Sequence, residues 1–335
     1  MQLEDRCKAL VAELGLAREE DVRAVVPLTG GVASDIAMVD LGDRKICAKF
    51  ALPKLKVEAD WQVPVHRNAA EYAWLNVASE IFPDSAVRLF GRSDEAHGFA
   101  MEYLEGDDVY LWKEHLLAQA QDQGEAPKVA ELLGRIHLIS SDSAFDRAAF
   151  KNRDDFHAIR IEPYLSTTRT MHPALTGAIE PLEAMLYESQ KVLVHGDVSP
   201  KNILFRGGTP IILDAECATM GDASFDPAFC LNHLVLKAIH LPGSRRRLLE
   251  QVCAFWSAYA PHVRWEYPGA LEKRICALLP VLMLARVDGK SPVEYLSDRQ
   301  RATVRDIAIA LITAPPVNLE ALAAAVAQHP TGDHE

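Results

Sequence analysis

The chain has 335 residues, of which 49% are hydrophobic and 24% are charged, and it carries a formal charge of −12 at pH 7. This length and composition supply enough apolar surface for a large core and exclude an intrinsically disordered chain. The acidic balance argues against nucleic acid or an anionic membrane surface as a partner, because both bind basic protein faces.

The six cysteines occur without C-x-x-C pairs, which favours buried free thiols over zinc ligands or a disulfide framework. The first residues lack the basic start and apolar core of a signal peptide, and no apolar run reaches membrane-spanning length. We therefore expect a cytoplasmic protein.

Helical spacing of apolar residues predicts a first helix over 3–14. Alternating patterns then predict a three-strand meander over 22–28, 33–41 and 45–50. The first turn of this meander contains Gly30 and Gly31. Such a pair makes either an ordinary hairpin turn or, together with residues up to Ser34, a glycine-rich loop that covers nucleotide phosphates.

Lys49 lies in the third predicted strand, directly after the small apolar residues 46–48. An ammonium in this setting needs an anionic partner, either nucleotide phosphates or a carboxylate. A plain edge-strand lysine is the alternative interpretation, and Lys45 and Lys54 are neighbouring candidates for the same role.

A strong helix is predicted over 65–81, followed by strands over 87–90 and 98–104 and a pattern break at 105–108. These patterns predict four parts of the chain: an N-terminal lobe at 1–103, a hinge at 104–107, a helical C-terminal lobe at 108–327 and a disordered tail at 328–335. Helices of the C-terminal lobe are predicted over 109–121, 127–139, 173–189, 225–240, 244–260, 270–287 and 297–325.

Two short apolar runs at 192–194 and 203–205 bracket a polar loop. The loop holds His195, Asp197 and Asn202 in the order H-x-D-x-x-x-x-N, which is the spacing of the kinase catalytic loop. A carboxylate there can accept a proton from an attacking hydroxyl, while the later amide can hold Mg²⁺ on the ATP phosphates. A solvated β-hairpin with polar loops is the alternative.

A turn at Gly207-Gly208 and another apolar run lead from this loop to Asp214 and Glu216. Asp214 stands where a second magnesium-binding acid is expected. With Gly196 inside the loop and Asp-Ala-Glu at 214–216, the stretch resembles the aminoglycoside phosphotransferase and choline kinase-like family of small-molecule kinases. Residues 221–229 also resemble that family's G-D-x-x-x-D-x-A-x segment.

The resemblance covers about residues 22–290 and implies an α+β, two-lobe protein-kinase-like fold, with a small antiparallel sheet in the N-terminal lobe and a mainly helical C-terminal lobe. It implies ATP and Mg²⁺ as cofactors. Asp197 would be the catalytic base and Lys49 would bind phosphate. Glu71 would pair with Lys49. The alternatives are that Glu58 or Glu80 takes this role, or that Glu71 is only a solvated charge on the helix.

The same resemblance implies the remaining site residues. Asn202 and Asp214 would coordinate Mg²⁺, and Glu216 would support a second ion. Adenine would lie against the hinge, reading the Glu102 carbonyl and the Leu104 amide, with Met101 as either a core or a gatekeeper residue. The residues covering the phosphates would be Gly30, Gly31 and Ser34.

Helices ahead of the catalytic loop would build the acceptor pocket, which makes His157, Arg160 and Tyr164 substrate candidates, with a solvated helix face as the alternative. Asp226 would hold the catalytic loop near His195 by accepting backbone hydrogen bonds. The acceptor would be a hydroxyl of a small molecule such as an aminoglycoside, an amino alcohol, a sugar or a hydroxy acid. We expect no nucleic acid or membrane partner, and a monomer or a homodimer.

Three function classes follow from these patterns: a small-molecule kinase, a nucleotide-binding pseudokinase and a protein Ser/Thr kinase. The pseudokinase predicts missing metal residues, whereas Asn202 and Asp214 are both present. The protein kinase needs a long activation segment, but only about eleven residues separate Asp214 from Asp226. Ser199 also replaces the phosphate-contacting lysine of protein kinases, with Lys201 as its nearest substitute. The small-molecule kinase is favoured.

Overall fold

The computed structural model describes residues 2–28, 34–52 and 67–329. Within these ranges the N-terminal part forms an antiparallel sheet with the strand order β1-β2-β3-β5-β4. Its strands are β1 (Ala24–Pro27), β2 (Ser34–Asp40), β3 (Lys45–Ala51), β4 (Leu89–Ser93) and β5 (Gly98–Glu102).

Alternation along β3 decides what each face of this sheet covers. Ile46, Ala48 and Phe50 pack against helix α1 (Leu3–Glu13) in a small core of their own. Cys47 faces the other side and joins the main core, where helix α2 (Arg67–Ile81) packs. Lys49 shares the Cys47 face, and its ammonium therefore points toward α2.

The rest of the described chain is mainly helical. The helices are α3 (Trp112–Leu117), α4 (Glu125–Ser140), α5 (Arg153–Phe156), a π-helix (His157–Ser166), α6 (Thr167–Met171), α7 (Thr176–Glu188), α8 (Phe225–His240), α9 (Arg245–Tyr259), α10 (Pro268–Asp288), α11 (Asp298–Thr313) and α12 (Leu319–Gln328). Helix α8 is buried along nearly its whole length and packs against α9, α10 and α11. The sheet followed by a helical remainder confirms the predicted α+β architecture.

Two small antiparallel sheets in this helical part carry the polar loops. One pairs β7 (Val192–Val194) with β10 (Thr219–Gly221), and the other has the order β6-β8-β9, formed by β6 (Val109–Leu111), β8 (Ile203–Arg206) and β9 (Thr209–Ile212). Gly207 and Gly208 have φ angles of 56° and 76°. Positive φ at both central residues is the requirement of a type I′ hairpin turn, so the predicted turn between β8 and β9 is confirmed.

Two helix predictions are wrong in part. The segment 109–121 begins with β6 rather than a helix, because Val109, Tyr110 and Leu111 pair with β8, and only Trp112–Leu117 is helical. The segment 297–325 is broken between α11 and α12, where prolines at 315 and 316 cannot donate helical hydrogen bonds.

The structure bears on three further expectations, which concern the cysteines, the C-terminal tail and membrane-spanning helices. The six cysteines are free thiols, as predicted. Of the predicted tail, Gln328 closes α12 and residues 330–335 lie outside the described residues. Among the helices of the described ranges, none combines the length and the apolar character that a membrane crossing requires.

Candidate active site

Lys49 and Glu71 form a buried ion pair between β3 and α2. The Lys49 ammonium nitrogen lies 2.8 Å from both carboxylate oxygens of Glu71, and the two residues are 2% and 1% exposed. The structure thus brings the predicted pair together. Of the alternatives, Lys45 binds Glu105 at the surface, while residues 54 and 58 lie outside the described residues.

The same ammonium reaches across to the hairpin of the helical part. Lys49 Nζ donates a hydrogen bond to Asp214 and lies 3.3 Å from Glu216 Oε1. Glu216 also accepts hydrogen bonds from Ser34 Oγ and, at 2.6 Å, from Arg67 Nε. Carboxylate oxygens of Glu71, Asp214 and Glu216 lie within 4.8 Å of one another. We call these three acids with Lys49 and Arg67 the Lys49 cluster.

The charges of the Lys49 cluster shift the pKa values of its acids in opposite directions. Burial, together with the nearby Asp214 and Glu216 charges, raises the pKa of Glu71 against the attraction of Lys49. Burial also disfavours the charged form of Asp214, but the positive charges of Lys49 and Lys201 outweigh it and lower its pKa. Asp214 therefore stays ionised at the open end of the cluster.

The catalytic loop is held by buried polar contacts. The amides of His195 and Gly196 donate to the two carboxylate oxygens of Asp226 at 2.7 and 2.8 Å, as predicted. Gly196 has a φ of 83°, and a Cβ there would lie 2.8 Å from Cys217 Cβ. Only glycine fits this close approach, which explains the H-G-D sequence.

His195 stabilises the loop through its ring and does not face a proton to be transferred. Its Nδ1 accepts a hydrogen bond from the Asp197 amide at 3.1 Å, and its ring lies edge-on to Trp74 with centroids 4.7 Å apart. Burial lowers the pKa of His195 despite the neighbouring acids, so the imidazole is neutral and can act as this acceptor.

Asp197 lies between two cations. Its Oδ2 is 3.0 Å from Arg160 and 3.3 Å from Lys201 Nζ. Burial alone would raise the pKa of Asp197, but Lys201 and Arg160 outweigh it and hold that pKa well below its usual range. Lys201 thus supplies a positive charge to the loop. Ser199, which is fully buried, supplies none.

Arg160 comes from the π-helix that precedes the loop in the chain. This segment contains Pro163, whose missing N–H removes one helical bond, and π-helices often occur at functional sites. Arg160 also donates to the Gly196 carbonyl, and Tyr164 packs beside it. His157 instead lines a separate cavity of about 380 Å³ with Tyr187. The structure therefore brings Arg160 and Tyr164 to Asp197, but not His157.

Asn202 and Asp214 offer oxygen ligands near Asp197. The Asn202 amide nitrogen donates to the Asp197 carbonyl at 3.1 Å, so the other end of that amide presents its oxygen. Asp214 has a φ of 71°, an uncommon backbone conformation outside glycine, and its side chain is partly exposed. Oxygen donors of this kind fit Mg²⁺. Glu216, by contrast, is already bound by Ser34 and Arg67.

The predicted nucleotide residues that the structure describes lie at opposite ends of the sheet, at the end of β5 and at the start of β2. Met101 lies in the main core, and the Glu102 side chain accepts a hydrogen bond from Arg206 at 2.7 Å. Leu104 follows β5 and is partly buried. Ser34 begins β2, whereas residues 30 and 31 lie outside the described residues.

Sequence reasoning missed several charged residues of the site. Arg67 binds Glu216, and Lys237 and Arg286 lie buried or half-buried on α8 and α10. One signal was available for Lys237, because it is the only lysine or arginine in the apolar run 225–240. No comparable signal distinguished Arg67 or Arg286 from surface arginines.

Comparison with known proteins identifies the family. A sequence model of the phosphotransferase enzyme family matches residues 24–262. The chain belongs to the phosphotransferase enzyme family. The resemblance inferred from the catalytic loop is therefore confirmed, and the chain is a small-molecule kinase, an ATP-dependent phosphotransferase with a hydroxyl acceptor.

Individual relatives of this phosphotransferase are distant. A methylthioribose kinase of Bacillus velezensis is 23% identical over 287 residues, which cover 76% of this chain and 72% of the relative. A choline/ethanolamine kinase family protein from Mesorhizobium loti superposes with a TM-score of 0.55 at 15% identity, over 97% of this chain and 99% of that one.

A third relative was solved with ligands bound. The amicoumacin kinase hAmiN, in complex with AMP-PNP, Ca²⁺ and Ami, superposes with a TM-score of 0.55 at 13% identity, over 95% of this chain and 98% of that one. At such identities the two structural likenesses establish the protein-kinase-like fold of this phosphotransferase, and they agree with the resemblance stated above.

Proposed function

We propose that this phosphotransferase transfers the γ-phosphate of Mg-ATP to a hydroxyl of a small molecule, with Asp197 as the base. One observation carries the assignment. Lys49 contacts Glu71 from the sheet side and Asp214 from the hairpin side, and Asp214 follows the strand that pairs with the one after Asn202. These contacts support a phosphate-binding role for Lys49 and a metal-binding role for Asp214.

In the transfer step, the acceptor oxygen forms a bond to the γ-phosphorus while the bond from that phosphorus to the bridging oxygen of ADP breaks. ADP leaves with the electron pair. Asp197 accepts the hydroxyl proton. Because Lys201 and Arg160 keep its pKa low, Asp197 is ionised at neutral pH and mainly orients the hydroxyl, which suits a loose transition state.

Lys49 would bind ATP phosphates, and Glu71 would keep it aimed at them. Mg²⁺, held by Asn202 and Asp214, would neutralise phosphate charge. Adenine would contact the Glu102 carbonyl and the Leu104 amide beside Met101, with Gly30, Gly31 and Ser34 covering the phosphates. A second ion at Glu216 would have to displace Ser34 or Arg67, so we assign Glu216 a role in orienting the Lys49 cluster.

The two other function classes lack comparable support. A pseudokinase would dispense with the base or the metal acids, whereas Asp197, Asn202 and Asp214 are all present beside Lys49 and Lys201. A protein kinase needs an activation segment after Asp214, but α8 already begins at Phe225. We propose further that the protein is a cytoplasmic monomer or homodimer that acts on small molecules.

An assay of ADP release tests the proposal. The protein is incubated with ATP and a panel of aminoglycosides, amino alcohols, sugars including methylthioribose, and hydroxy acids, with and without Mg²⁺. We expect release that requires both the metal and one class of acceptor. Release that ignores the acceptor, or none with any compound, would count against a small-molecule phosphotransferase.

A further inference from the structure

A second group of basic side chains lies beside the catalytic loop, on α8 and α10. We call His233, Lys237 and Arg286 the Lys237 cluster. Lys237 is 1% exposed, His233 is also buried and Arg286 is half-buried. Among the described residues, no carboxylate forms an ion pair with Lys237 or Arg286, and no group accepts a hydrogen bond from the Lys237 ammonium, which lies 5.1 Å from the Tyr295 ring centroid.

Contacts through Tyr164 and Phe229 connect this cluster to Arg160, which binds the proposed base. Arg160, which binds Asp197 at 3.0 Å, has its guanidinium 6.0 Å from the centroid of the Tyr164 ring. The Tyr164 hydroxyl accepts a hydrogen bond from Arg286 at 3.2 Å. On α8, Phe229 packs under Arg160 and against the His233 ring, with centroids 5.6 Å apart. The cluster therefore borders the place where an acceptor hydroxyl meets Asp197.

Nearby acids do not neutralise these cations. Asp197 is already shared by Arg160 and Lys201, and Glu294 binds Lys113 at 2.5 Å.

Burying an unpaired ammonium is costly, and a protein usually shifts such a group toward its neutral form. Burial, aided by the charges of Lys113 and Arg286, lowers the pKa of Lys237 to about 7. Burial, together with the charges of Arg286 and Lys237, holds the pKa of His233 well below its usual range. An uncompensated group of bases in a chain of net charge −12 is a site that a bound anion would complete.

We propose that the acceptor of this phosphotransferase carries an anionic group, a carboxylate or a phosphate, which binds Lys237 and Arg286 while the acceptor hydroxyl reaches Asp197. The inference rests on the proposed function and adds the substrate class. Charge-assisted hydrogen bonds to a planar guanidinium and an ammonium suit such an anion. Quaternary amines and aminoglycosides would instead place like charges together.

Matched acceptors that differ only in charge test this inference in the ADP-release assay. Glycerol, glycerate, glycerol 3-phosphate and choline present a hydroxyl with a neutral, carboxylate, phosphate or cationic neighbour. We expect kcat/KM for an anionic member to exceed that for glycerol by at least about tenfold, the effect of one charge-assisted hydrogen bond. Glycerate and glycerol 3-phosphate separate the two anion types.

Variants of Lys237 and Arg286 test whether these two residues bind the anionic group. Lys237→Met and Arg286→Gln should each raise KM for the preferred anion about tenfold or more, and by a larger factor than they change KM for glycerol. The matched control is Arg246→Gln, since Arg246 is 92% exposed on α9 and should change neither value. Lys237→Met should also melt at a higher temperature than wild type, because it removes a buried unpaired charge. That outcome separates loss of binding from loss of fold.

A binding measurement keeps the inference testable without turnover. Calorimetry with the nucleotide site saturated by Mg²⁺ and AMP-PNP should show glycerate or inorganic phosphate binding to wild type and to Arg246→Gln, but not to Lys237→Met. Preferred phosphorylation of glycerol or choline, or equal anion binding by wild type and Lys237→Met, would overturn the inference and leave the phosphotransferase assignment intact. Anion binding without any turnover would instead count against the assignment alone.

Discussion

Two groups of buried charge flank the catalytic loop, and they differ in how completely they are paired. In the Lys49 cluster each carboxylate has a cation within hydrogen-bonding reach. In the Lys237 cluster, neither Lys237 nor Arg286 forms an ion pair with a described carboxylate. The comparison shows that the fold itself pairs the charges of the Lys49 cluster and leaves charge uncompensated in the Lys237 cluster.

Substitution of Asp197, the proposed base, should give the largest effect on turnover. Asp197 lies between the Lys49 cluster and the Lys237 cluster. General-base catalysis contributes about 10²–10⁴ in rate, so Asp197→Asn should lower kcat by that order. Mg-ATP affinity should change little, because Asp197 does not belong to the Lys49 cluster. Steady-state kinetics and calorimetry on the same preparation check both values.

The matched control is Asp94→Asn, which changes an exposed aspartate of the N-terminal sheet region in the same way. It should leave kcat unchanged. Retention of more than about a tenth of wild-type turnover by Asp197→Asn would place the base elsewhere.

The pairing within the Lys49 cluster comes next in size. Lys49→Ala and Glu71→Ala each leave a buried charge with fewer partners, and removing one member of a buried pair costs about 3–5 kcal/mol of folding free energy. Chemical unfolding of both single mutants and the double mutant should show a coupling of about 1–3 kcal/mol. Additive effects on stability and on turnover would show that the two side chains do not act as a pair.

The dependence of ATP affinity on Mg²⁺ tests whether Asp214, at the open end of the Lys49 cluster, binds the metal. Asp214→Ala should remove most of the gain in ATP affinity that Mg²⁺ gives the wild type, with a loss of metal affinity of at least about 10–100-fold. Titration of ATP with and without Mg²⁺ measures it. Equal metal dependence in wild type and Asp214→Ala would exclude Asp214 as a ligand.

The smallest expected effect concerns pH and tests the unpaired group. Lys237 has a pKa of about 7, lowered by burial, Lys113 and Arg286, and raised only by the charges of Glu294 and Cys230. Since the anion binds the protonated ammonium, affinity for a carboxylate probe should fall as pH rises above 7, by up to about tenfold per pH unit. Glycerate suits the measurement because its carboxylate keeps its charge above about pH 5.

Stability should respond to pH in the opposite direction. The unfolded chain binds a proton at Lys237 up to its ordinary pKa of 10.5, whereas the folded chain releases it at about 7, so this residue makes folding more favourable as pH rises between the two values. Lys237→Met should abolish that slope. Unchanged affinity for glycerate from pH 6 to 9 would contradict an uncompensated Lys237, since about two pH units above the pKa the charge is nearly lost.

The predictable parts of this site are those that short-range geometry fixes. His195, Asp197 and Asn202 follow β7 at intervals that a tight loop imposes, and Gly207-Gly208 imposes the turn that returns the chain to Asp214. The Lys49 position followed from strand alternation and small neighbours. The start of β6 could not be predicted, because Val109–Leu111 becomes a strand only through pairing with β8.

Contacts between distant parts of the chain were outside the reach of sequence patterns. Ser34 meets Glu216 across 182 residues, and Arg160 meets Gly196 across 36 residues from within a π-helix. Arg160 resembled a solvated helix residue in the sequence, since no local pattern indicates that its guanidinium turns inward. The unpaired state of Lys237 likewise depends on which acids other helices bring near it, and that is a property of packing alone.

Identification of the reaction product tests the central claim most directly. The protein is incubated with Mg-ATP and the panel of hydroxyl compounds, and products are identified by mass spectrometry and ³¹P NMR. The account predicts a phosphate monoester on the acceptor hydroxyl, in amounts equal to the ADP formed, with wild type and Asp94→Asn, and formation of the same product about 10²–10⁴ times more slowly with Asp197→Asn. ADP formed with inorganic phosphate and no phosphorylated acceptor, or phosphate found on the protein itself, would contradict it.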